Sequence, residues 1–290
     1  MDKSAASMNA SKTAMDPSVC ALSLIDASNW ACVDFISDLH LQAREPEVFE
    51  AFEYLLENTS AQALFILGDL FELWVGDDEL DSPQGEFARR CVSALQAASR
   101  RLPLYLMPGN RDFLLSHHFY TQARVQALTD PAVLRTPERS YLLSHGDLLC
   151  TSDHAYQGFR ETVRSETWQS EFLSQSLNKR LSLGQDMRAK STAMQREQGL
   201  TQTGLMFDLD AQACRDWLTA HQCQTLIHGH THAPRQHDLG PDLERVVLSD
   251  WEANSSPPRL EVLRLEDNTL KRLHVLACGP AKNHADRPNT

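Results

Sequence analysis

Five short segments of this chain, each following an apolar run, carry side chains that bind metal ions. They are Ser37-Asp38-Leu39-His40, Gly68-Asp69, Gly109-Asn110-Arg111-Asp112, Ser144-His145-Gly146-Asp147 and Gly229-His230-Thr231-His232. Each segment stands where a β-strand would end, and strand ends meet at one point only when the strands are close neighbours. The pattern therefore predicts that the five strands lie in one sheet and that their carboxyl ends form a metal site.

Composition excludes several classes of protein. The chain has 290 residues, of which 42% are hydrophobic, so it is long enough for a buried core. A formal net charge of -12 disfavours nucleic acid as a partner, although metal ions can supply local positive charge for a phosphorylated substrate. The seven cysteines are scattered without a Cys-x-x-Cys pair, which indicates reduced thiols in a cytoplasmic protein.

Strands alternate with helices along most of the sequence, which predicts an α/β fold of layered sheets and helices. The predicted strands are Val33–Ile36, Ala63–Ile66, Leu104–Met107, Tyr141–Leu143, Thr225–Ile227, Arg245–Leu248, Leu260–Leu265 and Leu270–Leu276. The predicted helices are Glu45–Glu57, Gln84–Arg101 and Ala211–His221. We expect a disordered leader over residues 1–30, a single domain over 31–278 and a disordered tail over 279–290. The leader lacks a signal-peptide pattern, and no apolar run reaches the roughly 20 residues of a membrane span.

One stretch, Asp153–Leu200, has almost no strand character and is predicted to form helices, as a lid over about residues 153–205. Its apolar face consists of Trp168, Phe172, Leu173, Leu177 and Leu181. Its cations outnumber its acids and are Arg160, Arg164, Lys179, Arg180, Arg188, Lys190 and Arg196. Two interpretations are open: a helical hairpin packed on the core, or a cap over the active site that contacts lipid or a membrane surface.

Seven residues in the five segments are candidate metal ligands: Asp38, His40, Asp69, Asn110, His145, His230 and His232. Seven ligands exceed the needs of one tetrahedral ion and suit two ions, with Asp69 as the bridging carboxylate. Such a pair acidifies a water molecule that can attack phosphorus. His228 points to the opposite side of its strand from its neighbour, so we assign it a structural role.

At these residues the chain resembles the calcineurin-like metallophosphoesterases, whose blocks are D-x-H, G-D, G-N-H-[DE], a strand-end His and G-H-x-H. It departs from that pattern at Arg111, where most relatives have His. The runs at residues 67–78, 109–115, 145–151 and 227–232 resemble one branch that has this Arg, the UDP-2,3-diacylglucosamine diphosphatases of lipid A biosynthesis. The resemblance extends from about Phe35 to Trp251.

The resemblance implies hydrolysis of UDP-2,3-diacylglucosamine to UMP and 2,3-diacylglucosamine 1-phosphate by attack at the α phosphorus. It implies two ions, usually Mn²⁺, one held by Asp38, His40, Asp69 and His232 and the other by Asp69, Asn110, His145 and His230. The implied catalytic residues are Asp69, Asn110, Arg111 and His230. The implied substrate contacts are Asn110, Arg111, Asp153, Arg188, Ser191, His230 and, where the family often has Asn and Lys, Gln195 and Gln198. A peripheral location on the cytoplasmic face of the inner membrane is also implied, through the helical insert.

Two other functions fit part of the pattern. A nucleotide pyrophosphatase or cyclic nucleotide phosphodiesterase would share the metal ligands, but the Gly-Asn-Arg-Asp block and the apolar insert argue against it. A non-catalytic scaffold on the same fold would be expected to lose ligands, whereas all seven are present in this chain.

Overall fold

The computed structural model of this protein describes residues 22–197 and 208–279, and the side chains of these residues except 190–197. In chain order, the strands are β1 (Ser23–Asp26), β2 (Cys32–Ile36), β3 (Ala63–Leu67), β4 (Leu104–Met107), β5 (Gln126–Ala127), β6 (Ala132–Arg135), β7 (Ser140–Ser144), β8 (Thr225–His228), β9 (Arg235–Gly240), β10 (Leu243–Val247), β11 (Glu261–Glu266) and β12 (Thr269–His274). The helices are α1 (Pro46–Asn58), α2 (Glu86–Ala98), α3 (His117–Ala123), α4 (His154–Arg164), α5 (Glu166–Leu173), α6 (Leu177–Glu197) and α7 (Ala211–Ala220). Every strand predicted from the sequence is confirmed to within two residues at each end.

The strands form two six-stranded sheets rather than one. The first has the order β12-β11-β2-β3-β4-β5, and the second has the order β1-β6-β7-β8-β10-β9. Strands β2, β3 and β4 are parallel neighbours in the first sheet, and β7 and β8 are parallel neighbours in the second. The prediction that all five ligand-bearing strands share one sheet is therefore wrong.

The two sheets pack face to face, which explains how strand ends from both can meet. Their shared core contains Phe35, Phe65 and Tyr105 from the first sheet and Tyr141 and Ile227 from the second. Phe65 stacks on Tyr105 with ring centroids 4.6 Å apart. Because side chains from β2–β4 and from β7–β8 enter this core, the carboxyl edges of these strands lie against each other.

Helices cover the outer faces of both sheets. Phe49 and Phe52 of α1 and Leu95 of α2 belong to the core beneath the first sheet. Cys214 and Leu218 of α7 pack on the second sheet. The layered α/β fold predicted from the sequence is thus confirmed, as helix, sheet, sheet, helix.

Ordered structure begins before the residue 30 boundary that we expected for the leader. Ser23–Asp26 form β1, which pairs in parallel with β6, and Ile25 is buried in the core between the sheets. This strand was missed because the first thirty residues are rich in Ala, Ser, Asp and Asn overall, although Leu22, Leu24 and Ile25 give them a short apolar run. Residues 1–21 and 280–290, where we expected disorder, lie outside the described part of the chain.

The insert contains three helices, α4, α5 and α6, and residues 198–205 of the predicted lid lie outside the described part. Phe172 is buried in the core beneath the first sheet, and Trp168, Leu177 and Leu181 pack against the same core. Trp168 also stacks on Phe172 with ring centroids 4.7 Å apart. The positions of these four residues agree with the first interpretation, a helical hairpin packed on the core. Leu173, by contrast, is exposed.

One face of α6 lies along the loop that follows β3. Arg180 donates hydrogen bonds to Val75 O at 2.5 Å and to the carboxylate of Asp78. One turn later, a Cβ at Gly184 would lie 2.9 Å from Leu73 Cδ1, so the helix and loop are in close contact there. Positions four residues apart share a helix face, and this face fixes α6 to the edge of the site.

Candidate metal centre

The loops after β2, β3, β4, β7 and β8 bring all seven predicted ligands together. Five of the seven have a positive φ: Asp38 (54°), His40 (50°), Asp69 (53°), His230 (68°) and His232 (50°). The left-handed region costs non-glycine residues free energy and is concentrated at functional sites. The turns are held by backbone hydrogen bonds between loops, among them His40 N to Asp69 O at 3.1 Å.

Two glycines permit the close approach of these loops. A Cβ at Gly109 would lie 2.1 Å from Asp69 Oδ1, and a Cβ at Gly229 would lie 2.4 Å from Asp38 Oδ2. Both distances are far below van der Waals contact, so any side chain there would displace a ligand. The glycines of the Gly-Asn and Gly-His segments therefore have a steric role in the site.

Asp38, His40 and His232 form one side of the site. His40 Nε2 and His232 Nε2 are 3.3 Å apart, and His232 Nε2 is 3.3 Å from Asp38 Oδ1. Asp38 Oδ1 is buried and has no hydrogen-bond partner among the described residues. A buried carboxylate oxygen and two imidazole nitrogens that converge in this way are the arrangement expected of metal ligands.

Asn110, His145 and His230 form the other side. Asn110 Oδ1 lies 3.0 Å from His145 Nε2 and 2.9 Å from His230 Nδ1. Asp69 lies between the two sides, with Oδ1 3.7 Å from His145 Nε2 and Oδ2 4.0 Å from His40 Nε2. The mixed carboxylate, amide and imidazole set fits borderline divalent cations such as Mn²⁺, Zn²⁺ or Fe²⁺.

The buried acids and imidazoles of the site shift one another's pKa values. Burial alone would raise the pKa of Asp38, but the neighbouring imidazoles, His232 first, hold it below its ordinary value. Burial alone would lower the pKa of His145, but Asp69 and Asp38 raise it to about 9. His230 has a pKa lowered to about 4, by burial and then by His145. A cation that binds at His145 must therefore displace a proton, as metal binding to a histidine generally does.

Arg111 lies beside the ligands rather than among them. Its backbone N–H donates to Asp69 Oδ1 at 2.8 Å, and its Nε lies 3.8 Å from Asp69 Oδ2. Nε is buried and has no hydrogen-bond partner among the described residues. A guanidinium in this position offers fixed positive charge to an anion bound at the site.

Other predicted residues occupy the edge of the site. Asp153 caps α4, accepting a hydrogen bond from Tyr156 N at 2.9 Å, and Arg188 of α6 donates to Glu72 Oε1 at 2.8 Å. The side chains of Ser191 and Gln195, and Gln198 as a whole, lie outside the described part.

His228 faces the opposite side of the second sheet, with Nδ1 2.8 Å from Gly229 O and a pKa lowered to about 3 by burial. Its structural role stays a prediction.

Two acidic residues that sequence reasoning missed stand behind the ligands. Glu72 Oε2 lies 3.2 Å from His40 Nδ1, and Asp250 Oδ2 lies 3.8 Å from His232 Nδ1. Each acid also pairs with an arginine, Arg188 for Glu72 and Arg259 for Asp250. For Glu72 the available signal was a lone acid within the apolar run Leu-Phe-Glu-Leu-Trp. For Asp250 it was Ser-Asp directly after the apolar run Val-Val-Leu, the same arrangement as Ser37-Asp38 after β2.

This fold and site define a metal-dependent phosphoesterase. A family model of calcineurin-like phosphoesterases matches residues 33–234. The chain therefore belongs to the calcineurin-like phosphoesterase family, as its sequence motifs suggested.

Within the family, the chain is similar to curated proteins named UDP-2,3-diacylglucosamine hydrolase. The one from Aromatoleum aromaticum is 41% identical over 222 residues, which cover 75% of this chain and 88% of the relative. The one from Ralstonia nicotianae is 42% identical over 253 residues, covering 84% and 93% respectively. The one from Chromobacterium violaceum is 40% identical over 243 residues, covering 83% and 98%.

Proposed function

We propose that this chain hydrolyses the pyrophosphate bond of UDP-2,3-diacylglucosamine, giving UMP and 2,3-diacylglucosamine 1-phosphate in lipid A biosynthesis. The observation that carries the proposal is the seven-ligand site with Arg111 beside it, in a chain about 40% identical to hydrolases named for this substrate. The site supplies the hydrolytic chemistry, and the relatives indicate the substrate.

The proposed site holds two divalent ions, which we propose are Mn²⁺, through two sets of residues that share Asp69. One set is Asp38, His40, Asp69 and His232, and the other is Asp69, Asn110, His145 and His230. The central position of the Asp69 carboxylate, within 4.0 Å of imidazoles on both sides, supports its bridging role. When bound, such a pair of ions acidifies a water and neutralises phosphoryl charge.

The chain's own groups orient and stabilise the diphosphate. Arg111 Nε lies 3.8 Å from Asp69 Oδ2 and has no hydrogen-bond partner among the described residues, which supports a contact with a phosphoryl oxygen. Asn110 and His230, 2.9 Å apart, are candidates for the same oxygens. Arg188 and Asp153, together with Ser191, Gln195 and Gln198, are proposed to contact substrate from the lid.

The leaving group explains why Arg can replace the usual His. Attack at the α phosphorus expels a sugar phosphate, whose second pKa of about 6 lets it leave without a proton. A general acid is then unnecessary, whereas a fixed cation that stabilises the developing charge lowers the barrier. Arg111 is that cation in our proposal.

A substrate comparison tests the proposed function against its alternatives. With Mn²⁺ present, we expect UMP release from UDP-2,3-diacylglucosamine to be far faster than hydrolysis of water-soluble dinucleotides or cyclic nucleotides. Preference for the soluble substrates would replace the proposal with another phosphoesterase activity. Absence of any metal-restored hydrolysis after chelation would favour a non-catalytic scaffold.

We also propose that the chain works at the cytoplasmic face of the inner membrane, where a diacylated substrate is accessible. None of the helices in the described part is long and apolar enough to cross a membrane. The lid nevertheless exposes two large apolar side chains, Phe159 at 47% and Leu173 at 42%. Exposed apolar residues beside cations favour binding to an anionic membrane surface.

Vesicle flotation tests this location. We expect the double variant Phe159→Ser/Leu173→Ser to bind anionic phospholipid vesicles at least about tenfold more weakly, because two apolar anchors are lost. Substitution is preferable to deletion of the lid, since Phe172 belongs to the core of the domain. The control is Leu276→Ser, at a 64% exposed leucine outside the lid. Equal flotation of the wild type and the double variant would contradict membrane contact through the lid.

A further inference from the structure

Glu72 lies where the lid and the metal centre meet. The loop after β3 runs beside the loop after β2, with Leu41 N donating to Leu70 O at 2.9 Å and Glu72 N donating to Leu41 O at 3.2 Å. These backbone hydrogen bonds put the Glu72 side chain next to His40. Glu72 is thus held in place by the same loops that hold the ligands.

The two oxygens of Glu72 face different parts of the molecule. Oε2 lies 3.2 Å from His40 Nδ1, within ion-pair distance but outside hydrogen-bond geometry. Oε1 accepts from Arg188 Nε at 2.8 Å and also from the terminal guanidinium nitrogen. Because His40 Nε2 faces Asp69 and His232, Glu72 contacts the nitrogen that points away from the site.

We propose that Glu72 is a positioning residue that orients the His40 imidazole and couples it to the lid through Arg188. A carboxylate behind a ligating histidine fixes its tautomer and ring orientation and makes it a better ligand. Here that carboxylate is itself held by Arg188 of the lid, so the Arg188–Glu72 ion pair, and not the docking of α6 in general, strengthens metal binding at His40. The inference rests on the proposed metal-dependent function.

The packing of α6 supports this coupling. Arg188 stands one turn beyond Gly184 and two turns beyond Arg180, on the helix face that lies along the loop Glu72–Asp78. The contact of Gly184 with Leu73 brings the helix close enough for Arg188 to reach Glu72. Arg180 and Arg188 are therefore two cationic anchors of one helix face, and each binds an acid of the same loop.

The two arginine anchors can be compared directly, because only one of them binds an acid that contacts a proposed metal ligand. Arg180 pairs with Asp78, which is 57% exposed and has no contact with a proposed ligand among the described residues. Arg188 pairs with Glu72, which also contacts His40. A loss at Asp78 therefore weakens only the attachment of the lid, whereas a loss at Glu72 weakens the attachment and the support of His40.

The test measures Mn²⁺ retention by the full-length chain against a competing chelator, without substrate. We expect Glu72→Gln to weaken Mn²⁺ binding by about 10- to 100-fold. Arg188→Ala should weaken it by about threefold or more, and by nothing further when Glu72→Gln is already present, because it acts through Glu72. Asp78→Asn should retain Mn²⁺ as the wild type does.

Two results would overturn the inference. One is wild-type Mn²⁺ retention by Glu72→Gln; the other is an equal effect of Arg188→Ala with and without Glu72. Thermal unfolding of each variant without added Mn²⁺ separates a loss of fold from a loss of metal. Failure of the proposed function would appear differently, as a wild-type chain that binds Mn²⁺ but releases no UMP.

Discussion

Replacing Asp69 by Asn is expected to lower kcat/KM by about 10³-fold or more, with loss of bound metal. The Asp69 carboxylate lies between the two sides of the site, 3.7 Å from His145 Nε2 and 4.0 Å from His40 Nε2. An amide removes the negative charge and has only one oxygen, so the asparagine could not bind the metal ions on both sides of the site. The measurements are Mn²⁺-dependent UMP release and metal content after desalting.

A second buried aspartate provides the control for this variant. Asp34 lies in β2, in the same sheet, and forms a buried ion pair with Arg264 at 2.7 Å. Asp34→Asn leaves the Arg264 charge poorly compensated and should cost up to about 3–5 kcal/mol of stability, while the folded protein keeps its metal. If Asp69→Asn instead retained both metal and activity, the bridging assignment would be wrong.

Removal of the Arg111 side chain has the second largest expected effect. We expect Arg111→Ala to lower kcat by about 10²–10³-fold, the usual cost of losing one group that stabilises transition-state charge. Metal content should be unchanged, because the side chain is not among the ligands and Asp69 keeps its hydrogen bond from the backbone N–H of residue 111. Steady-state kinetics and metal analysis of one preparation measure both quantities.

Arg111→Lys is the matched control for charge alone. Lysine keeps the positive charge but lacks the planar fork, so we expect an activity between those of the wild type and Arg111→Ala. Metal loss in Arg111→Ala would show that Arg111 supports the metal centre rather than the leaving group.

The sequence predicted the local elements well because the relevant strands are continuous apolar runs. β2, β3 and β4 are buried at every position, so their composition alone distinguishes them from solvated segments. β9 is mostly exposed and polar, and β5 has only two residues, so neither gave a pattern. The division into two sheets was missed because periodicity identifies a strand but not its partner.

The sequence motifs single out side chains that the structure brings together, and they say less about the contacts around them. Ligands such as Asp38 and His230 lie in short motifs at strand ends, where residue type and position are both informative. Glu72 and Arg188 are 116 residues apart in sequence and meet only through the docking of α6. The apolar face around Phe172 was visible in the sequence, but the surface it packs against was not. Contacts between distant segments are therefore what sequence reasoning could not supply.

The most direct test of the proposed function is UMP release from UDP-2,3-diacylglucosamine by the wild type and by Asp69→Asn, with Mn²⁺ and after chelation. We expect UMP and 2,3-diacylglucosamine 1-phosphate in equal amounts from the wild type, loss of activity on chelation, and recovery when Mn²⁺ is restored. Asp69→Asn should stay inactive at every Mn²⁺ concentration that activates the wild type. A folded, Mn²⁺-loaded wild type that leaves this substrate intact would contradict the proposal.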